Sequence, residues 1–223
     1  MTSMQPRQQD PLWNRIRGVT NGYANGIVRL IGESYGRCTI QQAWSEFTDG
    51  VGEDFDCDDP NAELFFSWLF HRWFPTREKG SHVNDRSLYG VSPTRAYLDR
   101  GAKSLDPLLR CYLESCLATS PGFYETFNCT PDVGFTARDV LTGVEWDVSE
   151  GLASASLADG EITYAHLVSV EGTTLLEAIS PVSFSPRVKR RLTRLRRCGR
   201  SFHGGPRELR ELYFRLARRP TCQ

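Results

Sequence analysis

No window of this 223-residue chain approaches about 18 uninterrupted apolar residues, so no segment reads as a transmembrane helix. The opening MTSMQPRQQDPLW is polar and lacks the apolar stretch of a secretory signal. Met occurs twice and His four times, and there is no net charge. The spacings CxxC, GxSxG, HExxH, GxGxxG and Walker A are all absent, which removes the commonest signatures of zinc ribbons, serine hydrolases, zinc proteases and nucleotide-binding loops. Gly and Pro are near average, so collagen-like and low-complexity readings fail. A 39% apolar, 11% aromatic composition can build a real core, and the length suits one large domain or two small ones.

The seven cysteines, at 38, 57, 111, 116, 129, 198 and 222, are odd in number and lack metal-ligand spacing. They read as thiols of a cytoplasmic protein, with no metal and no cofactor expected. Zero net charge conceals an uneven layout. From Arg187 onward thirteen basic residues face only Glu208 and Glu211, a local charge of +11. Residues 1–186 carry the compensating −11, densest from Glu46 to Glu63. Such a tail meets a polyanion or folds onto its own acidic body.

Residues 11–34 carry apolar side chains at helical spacing, interrupted by Gly18, Gly22 and Gly26. These glycines either line a close-packed face or break the segment into two helices. Thr39–Phe47 reads as a short helix. Asp59-Pro60 reads as the cap and first residue of a central buried helix carrying Leu64, Phe65, Trp68, Leu69, Phe70 and Trp73, stopped at Pro75. Residues 76–91 read as a loop. Ser92-Pro93 and Asp106-Pro107 open two further helices by the same capping logic.

The apolar period changes near Pro121. Alternation and turn residues place strands near 123–129, 134–140, 144–149, 161–170 and 173–179, with a tight turn at Glu171-Gly172. Five short strands predict a small antiparallel barrel of SH3-like or OB-like size. Basic helices follow in RVKRRLTRLRR and RELRELYFRLARR. The expected fold is therefore α+β: a helical domain at 1–120, a barrel at 121–185 and an Arg-rich tail at 186–223.

Several stretches carry a resemblance. They are the aromatic run from Trp68 to Trp73, the strand Phe123-Tyr124-Glu125, the hairpin GFTARDVLTGVEWDV at 134–148 and ASASLADGEITYAHLV at 153–168. Together the segment from Phe65 to Pro186 resembles uncharacterised bacterial proteins of the SEC-C-motif-associated group. Within the hairpin, Asp139 can cap the turn and Gly143 can supply its positive φ. The Cys-rich SEC-C zinc motif itself is missing; only Cys198, His203 and Cys222 lie where it would stand. The resemblance implies a fold and carries no activity.

No nucleophile–base pair is recognisable, so an enzyme is the least supported reading. His71, inside an aromatic helix, reads as a satisfied core histidine, and His82 and His166 as structural or solvent-facing. Asp54, Asp56 and Asp58 imitate the first ligands of a calcium loop. Asp59 and Phe65 stand where that loop needs Gly and Glu. Asn128-Cys129-Thr130 is a glycosylation sequon by spelling only. The tail holds the strongest signal, because the guanidinium fork suits phosphate. Arg190, Arg191, Arg194 and Arg197 are the preferred nucleic-acid contacts, with Lys189, Arg196 and Arg200 supporting. Six phosphate contacts would give a log–log salt slope of roughly −4 to −5. The competing reading is a protein–protein adaptor in a larger bacterial complex. There the basic residues would meet an acidic protein surface, and the stripe Leu209, Leu212, Tyr213 and Leu216 would seat in a partner's groove.

Overall fold

The structure, a computed structural model, describes residues 11–36, 38–50, 54–77, 83–101, 104–198 and 205–218, with backbone alone for 195–198. The chain forms two compact units. One comprises residues 16–119, and the other comprises residues 120–223 with the chain up to Arg15. No helix among the described residues is long and apolar enough to cross a membrane. The architecture is α+β, with helices preceding and following, along the chain, a closed five-stranded barrel.

The helical segment begins with α1 (Pro11–Thr20) and α2 (Tyr23–Leu30), which runs into a π-helical turn at Ile31–Tyr35. Both readings of the glycines hold. Gly22 takes φ +86° and separates α1 from α2, while a Cβ on Gly26 would lie 3.0 Å from the Tyr97 ring. Next come α3 (Thr39–Phe47), α4 (Ala62–His71), α5 (Pro93–Arg100) and α6 (Pro107–Ala118). A 3₁₀ turn at Arg86–Leu88, capped by Asp85, interrupts the segment expected to be loop. The caps of α5 and α6 are as the sequence predicts: Ser92 Oγ accepts from the Arg95 amide, and Asp106 accepts from Leu108 and Leu109. The cap of α4 differs. Asp59 Oδ1 takes the amide of Asn61 in a preceding turn, and the helix starts at Ala62. Trp44, Phe47 and Phe65 of α3 and α4 pack edge-to-face or tilted with centroids 5.0–5.8 Å apart. Such offset geometries suit the ring quadrupole.

The barrel comprises β1 (Gly122–Thr130), β2 (Gly134–Asp139), β3 (Glu145–Ser149), β4 (Ile162–Val170) and β5 (Thr173–Ile179). A short α7 (Gly151–Ser154) lies between β3 and β4. The closed order is β1-β2-β3-β5-β4. The pairing is antiparallel except between β3 and β5, where Val148 and Ser149 lie parallel to Thr174 and Leu175. That pair corrects the expectation of a wholly antiparallel barrel. This five-stranded order, closed by a parallel pair, is that of an OB-type barrel. Alternation sends Tyr124, Phe135, Ala137, Val148, Ala165, Leu167 and Leu176 to the interior. The β2–β3 turn is built as its residues require: Asp139 Oδ1 accepts from Leu141 and Thr142 at 2.7 Å, and Gly143 sits at φ +79°.

The tail helices are α8 (Arg187–Cys198) and α9 (Pro206–Ala217). Leu209, Leu212, Tyr213 and Leu216 of α9 are all buried. Tyr213 stacks on Tyr164 of β4 at 4.9 Å and 14°, and meets Phe184 edge-on at 6.2 Å. Phe123 completes the patch beside Tyr164. Burial pushes the Tyr164 phenol well above its ordinary pKa, with the Arg210 charge opposing. The stripe expected to seat in a partner therefore covers the outside of this chain's own barrel, where Phe123, Tyr164 and Phe184 form an aromatic patch.

Two substitutions test this packing. A Cβ on Gly134, where φ is +153°, would lie 2.1 Å from the Val148 carbonyl oxygen. Gly134→Ala should therefore lower the unfolding free energy by about 2–4 kcal/mol in urea titration. Tyr213→Ala should remove about 3–5 kcal/mol in the same measurement. An unchanged midpoint for Tyr213→Ala would mean that the stripe is not a core.

Candidate nucleic-acid interface

A buried carboxylate on the barrel wall positions α8. The β1–β2 register sets Glu125 opposite Arg138, and the β2–β3 register sets Arg138 opposite Glu145. Arg138 reaches both: Glu145 at 2.6 Å and Glu125 at 3.8 Å. Its guanidinium also lies 4.5 Å from the centroid of Phe127 in the next row. In that row Thr136 donates to Asp147 at 3.1 Å. The Glu125 side chain is only 10% exposed, and Lys189 of α8 donates its ammonium to the same carboxylate oxygen that faces Arg138. Removing a carboxylate this far from water is costly unless cations face it. Lys189, expected to contact nucleic acid or an acidic partner, pairs with Glu125 within the chain and anchors its helix there.

Leu192 is fully buried, which fixes which side of α8 faces inward. At 3.6 residues per turn, Arg187, Arg190, Arg191 and Arg194 fall within an arc of about 100° on the side away from Leu192. All four are exposed. Among the described residues none forms an ion pair or hydrogen bond with these four side chains. Thr193, on the same helix, donates its hydroxyl to the Lys189 carbonyl at 2.8 Å. The arginines of α9 differ. Arg207 pairs with Glu211 at 2.8 Å, Arg215 donates to the Glu211 carbonyl, and Arg218 lies over Phe214. Glu208 caps its own helix at the Gly205 amide. The tail is thus two kinds of basic surface, one internally paired and one open.

The structure brings Arg190, Arg191 and Arg194 together and adds Arg187, which the sequence reading passed over. Helical spacing from Leu192 could have found it. Glu125 and Arg138 were also missed, since their meeting depends on strand register. Arg196 and Arg197 lie on α8 with side chains outside the described residues. Arg200, with His203 and Cys222, lies outside the described residues altogether.

The other candidates have local explanations. His71 is buried, and its Nδ1 lies 2.9 Å from Thr94 Oγ1. Asp56, Cys57 and Asp58 cluster on the surface, where Asp56 holds the Asp58 amide and Asp54 takes the Gln41 amide group. The Cys129 thiol is pushed up to about 11, by burial first and by Asp159 second, which disfavours the thiolate a nucleophile needs.

Glu125→Gln should lower stability by about 1–2 kcal/mol, less than for a fully buried pair because Lys189 is 38% exposed. The loss should shrink in high salt, and unfolding curves at two ionic strengths would check it. No protein-family model, curated protein or solved structure matches this chain.

Proposed function

We propose that this chain is a non-enzymatic nucleic-acid-binding protein that contacts phosphates through α8, acting as an accessory factor in a larger bacterial complex. The open arginine ridge carries this reading. Four guanidinium groups without a partner among the described residues share one face of a helix that the barrel holds in place, whereas the described arginine side chains of α9 have partners. Arginine in such an array suits phosphate by bidentate hydrogen bonding and by charge.

Kinship with the SEC-C-associated bacterial proteins rests on the hairpin held by Asp139 and Gly143. A cytoplasmic location rests on Cys38, Cys57, Cys111, Cys116 and Cys129, which are all free thiols. The adaptor reading loses its docking stripe, since Leu209, Leu212, Tyr213 and Leu216 are buried within this chain.

A mobility-shift titration of a short duplex at about 50 and about 200 mM salt tests the reading. Four arginines each neutralising one phosphate give a log–log slope of about −3.6, and Arg190→Gln with Arg194→Gln should halve it. Absence of any shift at the lower salt would reject nucleic-acid binding.

A further inference from the structure

Resting on that reading, we infer that the ridge takes double-stranded DNA, held by its phosphates without sequence preference, and not the single strands that an OB-type barrel ordinarily suggests. Two independent observations lead there. The first is the barrel wall. Single-strand grooves combine positive charge with aromatic rings on which bases stack. Here the β1–β2–β3 wall carries Glu125, Glu145 and Asp147 against Arg138 and Lys189, and of its two half-buried aromatics Phe127 lies under the Arg138 guanidinium while Trp146 packs against the barrel core. Arg138 is held there by Glu145 at 2.6 Å. Its two cations are committed to these carboxylates, and among the described residues the wall offers bases no exposed ring. The loop joining β4 and β5 adds Glu171, also acidic.

The second observation is the ridge itself. From Arg187 to Arg194 its exposed arc holds arginine alone, which suits phosphate and, among the bases, guanine only, with no Asn, Gln, Asp or Glu to read adenine or cytosine edges. No aromatic residue of the described barrel unit is among the exposed large hydrophobics. Arg187 and Arg194 stand about 10 Å apart along the helix axis, comparable with the major-groove width of about 12 Å. A helix fits that groove in B-form DNA, whereas the A-form groove of duplex RNA is too deep and narrow. With α8 backed by Leu192 and Lys189, the arginine side is exposed among the described residues.

Fluorescence-anisotropy titrations of the full chain with one mixed-sequence DNA duplex, a second duplex of scrambled sequence, one separated strand and the corresponding RNA duplex test this. We expect the two DNA duplexes to bind within about threefold of each other and at least about tenfold tighter than the single strand or the RNA. Phe127→Leu, checked for an unchanged circular-dichroism spectrum, should leave duplex affinity intact. Arg190→Gln with Arg194→Gln should weaken both duplexes equally. A single strand or RNA duplex binding as tightly as duplex DNA would overturn this inference while leaving nucleic-acid binding standing. So would strong discrimination between the two sequences, or loss of binding in Phe127→Leu. No binding to any of the four probes would instead reject the underlying reading.

Discussion

A carboxylate with a tenth of its side chain exposed needs cationic partners, and Glu125 is that carboxylate. It has two: Arg138, delivered by the neighbouring strand, and Lys189, delivered from a helix 64 residues away. The first ties the charge pattern of the barrel wall to strand register. The second fixes the rotation of α8 about its axis, because Lys189 and the buried Leu192 both face inward. Once those two positions are turned toward the barrel, Arg187, Arg190, Arg191 and Arg194 fall on the opposite, exposed side. The ridge is a by-product of satisfying a buried charge.

The acidic and basic parts of the chain also divide their work at short range. Glu125, Glu145 and Asp147 give the barrel wall a negative character, while α8 contains no acidic residue at all. Zero net charge keeps the long-range field small, so attraction of a polyanion depends on local presentation. That presentation is geometric, since α9 has arginines too but binds most of them to its own glutamates and rings.

Much of this was legible in the sequence. The five strands follow from alternation, the β2–β3 turn from Asp139 and Gly143, and the starts of α5 and α6 from Ser92-Pro93 and Asp106-Pro107. Each is a local rule acting over a few residues. What was missed is non-local. The stripe on α9 is visible as amphipathic, yet nothing in its spacing says whether a partner or the chain's own Tyr164 will cover it. Lys189 is indistinguishable from its basic neighbours until Leu192 fixes the inward direction. The β3–β5 pair joins strands separated by a helix and a further strand, so no turn signal announces that it is parallel. Asp59 had two competing uses, a cap or a preceding turn, and the Asn61 amide decided between them.

The burial of Leu192 has a consequence for how the ridge works. An arginine-rich segment that is unstructured when free must lose backbone and rotamer freedom at the moment of contact, and its affinity falls accordingly. Here the helix is already ordered by apolar packing on its far side, so that entropy has been lost during folding. The interface is pre-organised, and a methyl-bearing side chain that no ligand ever touches sets part of its strength.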